Sequence, residues 1–122
     1  MKKILIVDDS PAQIALMQAI LEQAGYRPVS INDPLRLEAA IEMERPQLIL
    51  MDVVMPGRNG FQACREIKNN TEFARIPVIL VTSKDTDSDR YWAQQQGADG
   101  FVVKPFTPES LLGQVQRFLP SQ

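Results

Sequence analysis

Three aspartates, a threonine and a lysine each stand directly after a short apolar run. Asp8 and Asp9 follow Ile4-Leu5-Ile6-Val7, Asp52 follows Leu48-Ile49-Leu50-Met51, Thr82 follows Val78-Ile79-Leu80-Val81, and Lys104 follows Phe101-Val102-Val103. If the apolar runs are strands, these side chains sit at carboxyl ends, the edge of an open α/β sheet where ligands bind, so positions distant in sequence converge on one crevice. Three carboxylates gathered there repel one another, and keeping all of them ionised calls for a cation. Oxygen ligands without an imidazole or a coordinating thiolate favour a hard ion. The few-ligand case that retains water is Mg²⁺ rather than a calcium cage. Lys104 adds a positive charge on a side chain long enough to cross the crevice. A carboxylate, a divalent ion, a lysine and a hydroxyl form a phosphoryl-transfer set, in which the protein supplies position and charge stabilisation and an aspartate can be the covalent nucleophile. Asp52 is the natural acceptor, because it ends a central strand beside the acidic pair.

The composition excludes several other chemistries. The 122 residues contain no histidine and one cysteine, Cys64. That removes Ser-His-Asp and Cys-His catalysis, imidazole metal ligands, a phosphohistidine carrier role, an internal disulfide framework and a cysteine-based zinc site. Cys64 reads as a small apolar packing residue, and a reducing compartment, the cytoplasm, is expected. With 13 basic against 15 acidic residues, no basic field exists to neutralise phosphates of DNA or RNA, so nucleic acid is not an expected partner. No stretch approaches the roughly 20 apolar residues that span a bilayer. The four apolar residues after Met1-Lys2-Lys3 are too few for a signal peptide.

The elements that must hold the site follow from the spacing of the apolar runs. Ile4–Val7, Val29–Ile31, Leu48–Met51, Val78–Val81 and Phe101–Val103 alternate with longer stretches able to form helices. This predicts a doubly wound α/β domain, a parallel sheet covered on both faces. The runs at 4–7, 48–51 and 78–81 are apolar without alternation and belong in the middle. Arg27-Pro28-Val29-Ser30-Ile31 alternates and contains a proline, which suits an edge. Ser10-Pro11 and Thr107-Pro108 each place a capping residue before a first-turn proline, and Gly25 and Gly97 stand where helices one and four should stop. Ile14, Met17, Leu21 and Ala24 in helix one, and Leu111, Leu112, Val115 and Leu119 in helix five, are spaced as core stripes. Helix four, about 87–96, is polar apart from Tyr91, Trp92 and Ala93, so its docking should be comparatively weak. Tyr91 and Trp92 lie about 100° apart on it, so full burial of both is not expected. The readings left open are an exposed contact for a partner and packing on neighbouring helices. The tail Pro120-Ser121-Gln122 leaves nothing for an output domain, so one domain over 1–122 is expected.

Taken together, Ile4-Leu5-Ile6-Val7-Asp8-Asp9-Ser10, Leu50-Met51-Asp52-Val53-Val54-Met55-Pro56-Gly57-Arg58-Asn59-Gly60, Pro77-Val78-Ile79-Leu80-Val81-Thr82-Ser83 and Gly97-Ala98-Asp99-Gly100-Phe101-Val102-Val103-Lys104-Pro105-Phe106 resemble a response-regulator receiver domain of the CheY-like kind over essentially the whole chain. The resemblance implies a five-stranded sheet of flavodoxin-like order 2-1-3-4-5 and phosphorylation of Asp52 by a histidine kinase. It implies Mg²⁺ held by Asp9, Asp52 and the Val54 backbone carbonyl, with Asp8 acting through a metal-bound water. It also implies Lys104 and the Thr82 hydroxyl as phosphoryl ligands, Phe101 as the aromatic switch, a cis Lys104-Pro105 bond, and catalysis limited to the protein's own phosphorylation and dephosphorylation. The face formed by helix 4, strand 5 and helix 5, with Tyr91 or Trp92, would then bind a downstream protein. Asp87-Ser88-Asp89-Arg90-Tyr91-Trp92 with Gln96-Gly97-Ala98 resembles single-domain receivers of twitching-motility and phototaxis systems. Val54 stands where receivers often carry a polar side chain and Lys84 at a variable position, and both positions bear on phosphoryl lifetime in receivers.

The alternative from another class is a small Mg²⁺-dependent phosphohydrolase with an aspartyl nucleophile. Such enzymes carry an Asp-x-Asp pattern after the first strand, which Asp8-Asp9-Ser10 lacks. A flavodoxin-like cofactor binder should cradle a phosphate in the first loop, where this chain places two negative charges. A degenerate receiver acting as a scaffold would have lost part of the set Asp8, Asp9, Asp52, Thr82 and Lys104, all present.

Overall fold

In the computed structural model, which describes residues 2–120, five strands and five helices alternate along the chain. β1 (Lys3–Val7), α1 (Pro11–Gln23), β2 (Arg27–Ile31), a 3₁₀ turn (Pro34–Arg36), α2 (Leu37–Glu44) and β3 (Leu48–Asp52) lead to α3 (Gly60–Lys68), β4 (Val78–Thr82), α4 (Asp87–Gln95), β5 (Gly100–Val103) and α5 (Pro108–Phe118). The strands form one sheet in the order β2-β1-β3-β4-β5, and every pairing is parallel. The expected doubly wound, flavodoxin-like order is therefore present. Ser121 and Gln122, on which the expectation about the tail rests, lie outside the described residues.

Alternation along the strands sorts the core into two halves. Leu5, Val7, Ile49, Met51, Val78 and Leu80 pack with Leu37, Ile41, Ala63, Cys64, Ile67 and Ala93, the buried side chains of α2, α3 and α4. Ile4, Ile6, Leu48, Leu50, Ile79, Val81 and Val102 pack on the opposite face with Met17, Leu21, Leu111 and Val115 of α1 and α5. Every residue of β3 and β4 is buried, as continuous apolar runs covered on both faces must be. β2, with Pro28, is exposed or half-buried throughout and lies at the sheet edge.

The helix ends carry the chemistry their sequences announced. Ser10 and Thr107 accept from the backbone N–H groups of Gln13 and Ser110. Gly25 and Gly97, at φ +92° and +87°, follow the last turns of α1 and α4, a backbone region that costs glycine nothing. Within α4 Ala93 alone is buried, joined by Gln96 at the C-cap. Tyr91 and Trp92 are 61% and 49% exposed, so the packed alternative for this pair is replaced by one in which both rings meet solvent. Apolar residues on one side of this helix are too few to pull either ring inward.

Candidate functional site at the carboxyl edge of the sheet

Register brings the strand ends level. Val7 pairs with Met51, Asp52 with Val81, and Thr82 with Val103. The residues that follow these ends, Asp8, Asp9 and Lys104, therefore share one edge with Asp52 and Thr82. One carboxylate oxygen from each of Asp8, Asp9 and Asp52 lies within 4.8 Å of the others. The expected convergence of all three carboxylates is present.

Each carboxylate has a distinct environment. Asp8 is fully buried; its Oδ1 accepts from the Ser10 backbone N–H at 2.9 Å and its Oδ2 from Lys104 Nζ at 3.0 Å. Asp9 is exposed and makes no hydrogen bond among the described residues. Asp52 is 8% exposed. Its Oδ1 accepts from the Val53 N–H at 2.8 Å and stands 3.4 Å from Lys104 Nζ. Its Oδ2 has no hydrogen bond among the described residues and is the oxygen open to a ligand. Burial pushes the Asp52 carboxyl above the usual carboxylate range and the Asp8 charge adds to this, while Lys104 opposes it. Three carboxylates against one ammonium leave a net charge of −2, which a divalent cation neutralises. All the donors are hard oxygens, so the residues fit Mg²⁺.

The backbone that holds Asp52 is fixed by the turn after it. Gly60 N–H, in the first turn of α3, donates to the Val53 carbonyl at 2.8 Å. A Cβ on Gly60 would stand 2.2 Å from the Asp52 carbonyl oxygen and 2.9 Å from Val53 Cα. Only glycine allows α3 to start this close to the acceptor strand. Asn59 caps the helix by accepting from Gln62 N–H at 2.9 Å. Val54, whose carbonyl is an expected metal ligand, has an exposed side chain in this turn.

Thr82 is fully buried and its Oγ1 accepts from the Lys84 N–H at 3.1 Å. Its carbonyl accepts from the Lys104 N–H at 2.9 Å, which ties β4 to the segment bearing the lysine. The Lys104-Pro105 bond is cis, as the resemblance implies. Leu80 pairs with Phe101, so Thr82, two residues beyond Leu80, points to the same face of the sheet as Phe101. The Phe101 ring packs half-buried against the core on that face, and the Arg90 guanidinium lies 4.9 Å from its centre. Arg90 is in turn held by Asp85 at 2.6 Å. Cys64 is buried; its thiol donates to the Gln96 carbonyl at 3.5 Å, and burial pushes it up to about 12. It is a packing residue, as expected.

Arg58 was not legible as part of this neighbourhood. In sequence it is one charge in a Gly/Asn turn, and its partners, Glu38 and Glu66, lie in helices with no pattern pointing to it. In the structure it is 8% exposed and pairs with both.

Residues 4–116 match the family model for the response regulator receiver domain. The chain is 41% identical over 119 residues to protein PilH of Pseudomonas aeruginosa, covering 98% of each chain. Its fold superimposes on that of chemotaxis protein CheY4 of Vibrio cholerae with a TM-score of 0.90, at 31% identity, covering 98% of this chain and 99% of that one. The receiver domain of sensor histidine kinase PA1611 of Pseudomonas aeruginosa, described with a magnesium ion coordinated in its active-site cleft, gives a TM-score of 0.87 at 32% identity, covering 98% of each. Strand order, strand-end carboxylates and these matches agree that the chain belongs to the response-regulator receiver domain family of two-component signalling, in its CheY-like, PilH-like form.

Proposed function

We propose that Asp52 accepts a phosphoryl group from the phosphohistidine of a histidine kinase. The carrying observation is that Asp52, whose Oδ1 stands 3.4 Å from Lys104 Nζ and whose Oδ2 makes no hydrogen bond among the described residues, belongs to a set of three carboxylates with one oxygen each within 4.8 Å of the others. In this step the Asp52 oxygen bonds to phosphorus while the phosphorus–nitrogen bond breaks, and the imidazole leaves. Asp9, Asp52 and the Val54 carbonyl would hold Mg²⁺, with Asp8 acting through a metal-bound water, and the ion would neutralise charge on the transferred group. Lys104 leaves its ion pair with Asp52 to bind a phosphoryl oxygen, and the Thr82 hydroxyl binds another. Withdrawal of Thr82 toward the phosphoryl group frees space on the face it shares with Phe101, and that ring moves into it. The change is a population shift between two arrangements. It is read by a protein partner on the surface of α4, β5 and α5, where Tyr91 and Trp92 are exposed.

The same proposal takes the chain to act as a single receiver domain over 1–122, with binding as its output and no nucleic acid involved. It places the protein in the cytoplasm, which a buried free thiol suits; among the described residues no helix is long and apolar enough to cross a membrane. Its resemblance to receivers of twitching-motility and phototaxis systems, with its similarity to PilH and to a chemotaxis protein, supports a role in motility or taxis control. Apart from its own phosphorylation and dephosphorylation, no catalysis is proposed.

The test is incubation with acetyl phosphate with and without Mg²⁺, followed by intact mass, for the wild type and Asp52→Asn. A phosphoryl adduct that needs both Mg²⁺ and Asp52 is expected. An adduct that survives the substitution, or phosphodonor turnover far beyond one equivalent in the manner of a phosphohydrolase, overturns the reading.

A further inference from the structure

The turn between Asp52 and α3 is held by a charge that phosphoryl transfer does not use. Its two ends are tied by the Val53 N–H to Asp52 Oδ1 and the Gly60 N–H to the Val53 carbonyl. Between them, Val54, Pro56 and Gly57 are exposed, and the turn is anchored inward by Met55 and Arg58, at 7% and 8% exposure. The Arg58 guanidinium leaves the turn and grips three other elements. Nη1 donates to the Pro34 carbonyl at 2.9 Å and to Glu38 Oε1 at 2.9 Å, and Nη2 donates to Glu38 Oε2 at 2.6 Å. On the α3 side, Nε donates to Glu66 Oε1 at 2.9 Å, with Nη2 at 2.8 Å from the same oxygen. The 3₁₀ turn that supplies Pro34 also lies beside the loop: a Cβ added at Gly57 would stand 3.8 Å from Leu35 Cδ1.

A buried arginine is costly unless its planar fork of donors is matched, and this one is matched by two carboxylates and a carbonyl from three elements. Such an arrangement fixes a loop's position more firmly than apolar contact does, since each hydrogen bond carries a direction. What the loop carries is the Val54 carbonyl. We infer that Arg58 is the positioning residue for the metal site: it holds the 53–59 turn so that the Val54 carbonyl faces the cation bound by Asp9 and Asp52. This rests on the proposed function, since it assumes that Mg²⁺ occupies that cluster. Glu38 and Glu66 act through Arg58.

The test follows the Asp52, Val53 and Val54 amide resonances by NMR during Mg²⁺ titration, with stability measured separately by urea unfolding. Arg58→Met keeps the aliphatic stem and removes the fork. It is expected to weaken Mg²⁺ by about tenfold, in keeping with losses when partners that orient a metal's ligands are removed. At saturating Mg²⁺ the rate of phosphorylation by acetyl phosphate should return to near the wild-type value. Lys68→Met is the control. Lys68 is a similarly shielded cation that pairs with Asp99 at 2.7 Å and donates to the Ala74 and Ile76 carbonyls, away from the acidic cluster. It should lose stability without changing Mg²⁺ affinity. If Arg58→Met does not fold, Glu66→Gln removes one arm of the grip and should weaken Mg²⁺ by a smaller factor. An Mg²⁺ affinity within about twofold of wild type in the folded variant overturns the inference. A wild type whose Asp52 to Val54 resonances do not respond to Mg²⁺ contradicts the proposed function instead.

Discussion

Substituting Gly60 by alanine tests whether the close approach of α3 to the acceptor strand is as tight as the geometry states. The added Cβ would stand 2.2 Å from the Asp52 carbonyl oxygen and 3.0 Å from the Asp52 carbonyl carbon. Both are backbone atoms of a buried central strand, so neither can turn away as a side chain would. Relief requires α3 to move out by about 1 Å to restore ordinary contact distances. That movement stretches the Gly60 N–H bond to the Val53 carbonyl and loosens Ala63, Cys64 and Ile67, all fully buried. Overpacking of this kind costs about 1–3 kcal/mol, and the weakened hydrogen bond about 1 kcal/mol. The higher helix propensity of alanine offsets up to about 1 kcal/mol. With that offset taken in full the net loss is about 1–3 kcal/mol, which for a chain of this size lowers Tm by about 4–12 °C. Thermal and urea unfolding of the metal-free protein measure it. A Gly60→Ala protein melting within about 2 °C of wild type would refute the steric argument, and with it the claim that glycine is required beside Asp52.

Gly113→Ala supplies the contrast, because a Cβ in that position of α5 meets nothing within 4 Å; urea unfolding should show a gain of about 0.5–1 kcal/mol. Asp52→Asn should stabilise the metal-free protein at pH 7. The Asp52 carboxyl, lifted by burial, binds its proton more tightly folded than unfolded. The wild type therefore loses stability as pH rises from the unfolded value, near 3.8, through the higher folded one. Urea melts in a chelator should show the gap between variant and wild type closing toward pH 4; a gap of the same size at both pH values would contradict this. Glu38→Gln has the opposite pH signature. Its hydrogen bond from Arg58 holds the Glu38 carboxyl below its usual value of 4.5, so the stabilisation is present above that pH and is lost as pH falls through the folded value. The variant should be less stable than wild type at pH 7, and the same melts should show the gap narrowing as pH falls below 4.5.

Much of the fold was legible because its signals are local. Five apolar runs placed the strands, the unbroken ones in the middle and the proline-bearing one at the edge, and parallel strand ends then forced Asp8, Asp9, Asp52, Thr82 and Lys104 onto one edge. The strand order itself came from the resemblance. What escaped was contact between segments distant in sequence. The grip of Arg58 on Glu38 and Glu66 joins three elements, and its sequence context is an ordinary turn. Nor does sequence show that Asp8 commits both oxygens, one to the Ser10 N–H and one to Lys104, whereas Asp52 keeps one open. The two rings of α4 were left between packing and exposure because adjacency on a helix argues against full burial of both and decides nothing more.

The central claim is that Asp52 is the residue that carries the phosphoryl group. The direct measurement is to phosphorylate the protein with acetyl phosphate and Mg²⁺, trap the product with borohydride, which reduces an aspartyl phosphate to homoserine, and map the change by peptide mass spectrometry. Homoserine at position 52, absent when Mg²⁺ is chelated, is the expected result. Homoserine at Asp8 or Asp9, or a borohydride-resistant phosphoester on Thr82 or another hydroxyl, would contradict it.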